Sequence, residues 1–148
     1  VTSVERAYVV SLTIPDNEAY TALTTLARMG LAVERAVRAD VWVVGVDPAH
    51  VDAVDAVVPT VEGIFNPNKH RLEIRSDVAP RRGEVWITSR DERPAITLGG
   101  RLVDGVHSVR RLTAWRLLDA QGGDVPPAIL ERATELFLCN PAFQEARR

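Results

Sequence analysis

The dipeptide Asn-Pro occurs twice, as Asn66-Pro67 in "EGIFNPNKHRLEI" and as Asn140-Pro141 in "ELFLCNPAFQEARR". Their separation, 140 − 66 = 74, is half of the 148 residues. Each copy follows an apolar stretch with helical spacing and precedes a short segment. An Asn can end a helix in the left-handed conformation or from the last turn, and the next Pro cannot continue it. Two such stops half a chain apart constrain the fold to a duplicated plan, provided the elements between them also recur.

They recur in the same order. "RAYVVSLTIP" reads as a strand, with Tyr8, Val9, Val10, Leu12 and Ile14 as β-formers. Asp16 or Asn17 caps a helix whose apolar positions are Ala19, Ala22, Leu23, Leu26 and Met29, and Gly30 ends it. "LAVERAVRADVWVVGVD" alternates with period two, and its polar interruptions predict one solvated face. A second helix starts at Pro48, is kinked or split at Pro59, and runs to the first Asn-Pro; "HRLEI" is the closing strand. After a polar linker, "EVWITSR" is again a strand and "AITLGGRLVDG" a weak helix ended by Gly105. "VHSVRRLTAWRLLDAQ" is a strand or a strand pair. "PPAILERATELFLCNP" is the clearest helix, with Ile129, Leu130, Ala133, Leu136 and Phe137 on its apolar stripe.

The plan predicts an α+β fold of two βαββαβ-type units, each an antiparallel sheet with helices packed on one face. The units are residues 7–74 and 84–148, joined by a linker at 75–83 and packed as one pseudo-twofold globule. Each alone is too small to be more than marginally stable, so the pair is expected to share its burial.

Two stretches resemble a known family. "VHSVRRLTAWRL" followed by "PAILERATELFLCNPAFQEA" is similar to the second half of PurS, the small subunit of phosphoribosylformylglycinamidine synthase. Val106, Val109 and Arg110 match that family's V-x-x-V-R strand, and Leu138, Asn140 and Pro141 match its helix end. "VVSLTIPDNEAYTALTTLARMGL" and "GIFNPNKHRLEI" resemble the family's opening and closing elements, so the chain looks like two PurS-like, ferredoxin-like units in tandem. Leu112-Thr113 stands where the family carries Gly-Lys; in the first half the place falls on Ala39-Asp40 or Asp40-Val41. The resemblance implies a non-catalytic subunit that helps a glutaminase and an ATP-dependent synthetase assemble in purine biosynthesis. It leaves room for a homodimer or a diverged paralogue with another partner.

The residues themselves point to little chemistry. His50, His70 and His107 have no Cys or His at ligand spacing, and Cys139 sits at the end of an apolar helix as a structural thiol. No catalytic residue, metal set or cofactor is expected. Interface candidates are Arg110, Trp42, Trp115, Asn66 and Asn140. Lys69, Arg71 and Arg75 begin a basic run reaching Arg81 and Arg82 that offers an anion site. The net charge of −2 and the lack of nearby stacking aromatics disfavour nucleic acid. "TLGGRL" admits a second reading, an ACT-like site where backbone N–H groups bind a small metabolite between the units. With one cysteine, no bilayer-length apolar run and no signal-peptide pattern, the expected compartment is the cytoplasm, away from membranes.

Overall fold

A computed structural model describes residues 2–148. The fold is α+β. Six strands, β1 (Val4–Leu12), β2 (Arg35–Val46), β3 (His70–Arg75), β4 (Glu84–Ser89), β5 (Val106–Leu118) and β6 (Gln144–Arg147), form an antiparallel sheet of order β3-β1-β2-β5-β4-β6. That order reads as a palindrome when β1, β2 and β3 are matched with β4, β5 and β6. The registers agree with the matching: Leu12 pairs with His70 and Val10 with Leu72, as Ser89 pairs with Gln144 and Ile87 with Ala146. Three α-helices, α1 (Asn17–Arg28), α2 (Val51–Val57) and α3 (Pro127–Ala133), accompany the sheet, together with short 3-10 and π-helical turns.

The chain forms two compact units, and each draws on both sequence halves rather than dividing at 75–83. The first comprises the segment ending at Ile14, Asp40–Val78 and Glu92–Leu112. Tyr8, Val10, Val44, Val46 and Val54 are buried together there, beneath α2. Pro59 splits the helix as expected: α2 stops at Val57, and a single 3-10 turn, Val58–Thr60, carries the proline. The helix therefore ends before Asn66. Along β2 the expected solvated face does not form: Arg38 and Asp40 are half-buried like Val37 and Ala39 beside them. Beyond Asp40, Val41 and Val43 on one face are as buried as Val44 and Val46 on the other.

Where a weak helix was expected at 95–105, the unit has a tight hairpin. Leu98 and Arg101 exchange backbone hydrogen bonds of 2.8 and 3.1 Å around Gly99 and Gly100, both at positive φ. Two adjacent glycines cost a helix about 2 kcal/mol against alanine, whereas a two-residue hairpin turn requires their left-handed freedom. Leu98 is fully buried in the first core. The backbones of Gly63 and Gly99 touch so closely that a Cβ on Gly63 would lie 2.6 Å from the Gly99 carbonyl oxygen.

The second unit comprises Pro15–Ala39, Ala79–Asp91 and Thr113–Arg148. Its core joins Leu26 of α1, Val85 and Ile87 of β4, Trp115 and Leu117 of β5, and Leu130 of α3. Asp16 caps α1, its Oδ1 accepting from the N–H groups of Glu18 and Ala19 at 3.0 and 3.2 Å, and Gly30, at φ 84°, turns the chain out. The stretch 106–118 is one strand, not a pair. Helix α3 runs on into a π-helical turn, Thr134–Leu138. The extra residue in that turn shifts the phase of the stripe, so Leu136 is 40% exposed and Leu138 takes its place inside.

Candidate functional site

The two Asn-Pro turns are built alike, hydrogen bond for hydrogen bond. In the first, the Asn66 carbonyl accepts from the N–H of Lys69 (3.1 Å) and His70 (2.8 Å), and its side-chain Oδ1 accepts from the N–H of Asn68 (2.9 Å). In the second, the Asn140 carbonyl accepts from Phe143 (3.0 Å) and Gln144 (2.7 Å), and its Oδ1 from Ala142 (3.1 Å). The Asn N–H also finds equivalent acceptors four residues on, His70 Nδ1 at 2.9 Å and Gln144 Oε1 at 2.8 Å. Each turn is then tied to its neighbouring strand, by Thr13 N–H to the Lys69 carbonyl and by Arg90 N–H to the Phe143 carbonyl.

This geometry reverses the expected role of the dipeptide. No residue other than glycine has a positive φ among the described residues, so neither Asn is left-handed. Each Asn instead caps the start of a single helical turn, with Pro in the first position, where a missing N–H costs nothing. The turn delivers the chain into an edge strand, β3 in one unit and β6 in the other. The shared acceptor role of His70 and Gln144 was visible in the sequence as a third residue pair with the offset of 74 (144 − 70), but the differing residue types concealed it.

The other interface candidates lie apart from these turns in role. Trp115 is buried in the second core. Trp42 is partly buried in the first unit, with the Arg111 guanidinium stacked 5.2 Å from its ring centre and held by Asp40 at 3.0 Å. Trp42 and Trp115 both point to the core side of their strands, an offset of 73, which aligns Leu112-Thr113 with Ala39-Asp40 rather than Asp40-Val41. Arg110 pairs with Glu5 at 3.3 Å on an exposed surface.

The basic candidates do not converge. Arg75 is buried and its Nε meets Glu73 at 2.5 Å, while Arg71 is exposed and Lys69 lies in the turn before the strand. Strand alternation sets Glu73 between Arg71 and Arg75 on one face, which cancels most of their pull on an anion. His70 has its pKa lowered, first by burial and then by Lys69, which suits a neutral ring accepting at Nδ1. Cys139 is partly buried against the second core, and burial raises its pKa.

Sequence reasoning missed a polar cluster in the first core. The hydroxyl of Tyr8, a fully buried residue, donates to Asp55 Oδ1 at 2.6 Å, and Arg6 Nη2 meets Asp55 Oδ2 at 2.5 Å. Burial, followed by the Asp55 hydrogen bond, pushes the Tyr8 pKa well above its ordinary value. Asp55 had the spacing of a solvated helix face, and only the approach of β1 to α2 makes it an acceptor.

The second unit contains a cleft of about 870 Å³ where the loop 80–84 faces the turn 119–127. Arg81, Arg82 and Arg148 line it, opposite Pro126 and Pro127. No group of three or more His, Cys, Asp or Glu able to hold a metal occurs among the described residues, and no helix there is long and apolar enough to cross a membrane. No family model, curated protein or solved structure matches the chain.

Proposed function

We propose that the chain is a non-catalytic, PurS-like assembly module of the cytoplasm, built from two ferredoxin-like repeats fused in one polypeptide. Its partners on this reading are the glutaminase and the synthetase of a phosphoribosylformylglycinamidine synthase complex. The observation that carries the proposal is the duplicated Asn-Pro turn, because the short motif behind the PurS resemblance ends in that dipeptide and passes into the edge strand that follows. The palindromic strand order supports the same reading: two repeats of three strands each, β1–β3 and β4–β6, meet through β2 and β5, the second strand of each. Departure from the family's Gly-Lys pair at Leu112-Thr113 and Ala39-Asp40 makes the surface around β2 and β5 the place where partner choice would have changed.

The work of such a module is surface complementarity, holding two enzymes in register. Tagged protein incubated in host lysate with glutamine and Mg-ADP is expected to retain both enzymes, identified by mass spectrometry. If neither is retained, with or without those ligands, the purine assignment falls.

A further inference from the structure

We infer that the cleft of the second unit is a binding site for a small organic oxyanion, a carboxylate or phosphate ester carrying a compact apolar body. The inference rests on the cleft alone and stands whether or not the assembly reading does. Its volume, about 870 Å³, lies within the range of small-molecule sites.

The charges lining it are unequally committed. Asp124 is engaged by Arg116 through both oxygens, at 2.6 and 3.2 Å, and that hydrogen bonding holds its carboxyl below the usual carboxylate range. Asp119 accepts the N–H groups of Gln121 and Gly123 in its own turn, at 2.9 and 3.0 Å. Glu84 accepts from the Arg81 N–H at 2.9 Å and from the Trp86 indole at 3.3 Å. All three carboxylates are therefore held in place by partners within the unit, and Asp124 is paired with a cation as well. Among the cations, Arg148 pairs with Glu131 at 3.4 Å. Arg82 is exposed and makes no hydrogen bond or ion pair among the described residues.

The loop that presents Arg82 is braced. Glu84 N–H donates to the Arg81 carbonyl at 2.9 Å, closing a tight turn. Gly83 sits in it at φ 86°, and the Asp124 carboxylate occupies the space its side chain would need: a Cβ would fall 2.6 Å from the carboxyl carbon. A planar guanidinium presented from a rigid turn suits two-point binding of an oxyanion, with the backbone already ordered and only the side chain left to settle. Pro126 and Pro127 supply a flat, stiff apolar wall on the other side. One oxyanion contact plus one apolar wall defines the ligand class.

The test is an amide-resolved NMR titration of the whole protein with benzoate, phenyl phosphate and inorganic phosphate. Benzoate or phenyl phosphate should give saturable shifts at Gly83, Glu84, Asp124 and Val125, and the tighter of the two identifies the oxyanion. Inorganic phosphate should bind at least about tenfold more weakly, because it leaves the wall uncovered. Arg82→Ala, at an exposed position that leaves the fold intact, should weaken binding by about tenfold or more, as loss of a charged hydrogen-bonding partner does; Arg71→Ala should change nothing. The proposal is overturned if neither aromatic anion gives saturable shifts by about 10 mM, if inorganic phosphate binds as tightly as they do, or if Arg82→Ala binds like the wild type.

Discussion

Single residues in this protein matter most where one polar atom closes a geometry that nothing else can close. Tyr8 is such a residue, its hydroxyl fixed to Asp55 inside an aliphatic core. Because its folded pKa lies above the ordinary 10.0, the folded state keeps the proton that the unfolded chain gives up. The stability this contributes is complete below pH 10 and is lost as the pH rises beyond it toward the raised value. Phenolate absorbance of the wild type should therefore include a tyrosine that ionises only together with unfolding. Tyr8→Phe should abolish that component and cost about 1–2 kcal/mol in urea unfolding at neutral pH. Ionisation of Tyr8 near pH 10 in a protein still folded would contradict the buried hydrogen bond.

Elements are where the duplication can be tested against itself. His70 and Gln144 do the same job, accepting the N–H of an Asn four residues earlier. Only the histidine can lose that ability by taking up a proton. With its folded pKa depressed, its contribution is whole above about pH 6.5 and is lost as the pH falls through that value toward the lower folded one. His70→Gln, which copies the second turn into the first, should leave stability unchanged at about pH 8 and flatten its decline between about pH 7 and 5. Parallel pH profiles for the two proteins would mean that the Nδ1 contact carries no weight. The π-helical turn after α3 makes a second comparison. Leu138→Ala should cost about 2–4 kcal/mol, and Leu136→Ala, which stays near the surface, within about 1 kcal/mol. A uniform helix through residue 138 would give the opposite order in thermal unfolding.

At the scale of the whole molecule, the two cores do not follow the two sequence repeats. Ala19, Ala22 and Leu26 of the first repeat are buried in the second unit, while Leu98 and Val109 of the second repeat are buried in the first. A chain cut between Val78 and Ala79 should thus yield two fragments that are each disordered alone, because each has surrendered part of a core. Mixing them should restore the dispersed NMR spectrum of the intact protein. Independent folding of either fragment would show that its own repeat suffices.

What the sequence determined by itself is the local grammar. The Asp16 cap, the helix break at Pro59, the left-handed Gly30 and the paired Asn-Pro turns all arise from contacts spanning a few residues, where residue type and conformation are tightly coupled. The Gly99-Gly100 hairpin belonged to that grammar too, but the helical spacing around it obscured the turn. Tertiary structure alone decided which core receives α1 and the 95–101 hairpin, which leucine of the last helix points inward, and that Arg82 rather than Arg75 is the cation left unpaired at a cleft. Apolar burial is non-directional, and a sequence pattern states that a face must be covered without stating by what. Side-chain surroundings likewise depend on how distant elements pack, so of five basic residues that are near neighbours in the chain Arg75 is buried against Glu73 while Arg71 and Arg82 are exposed.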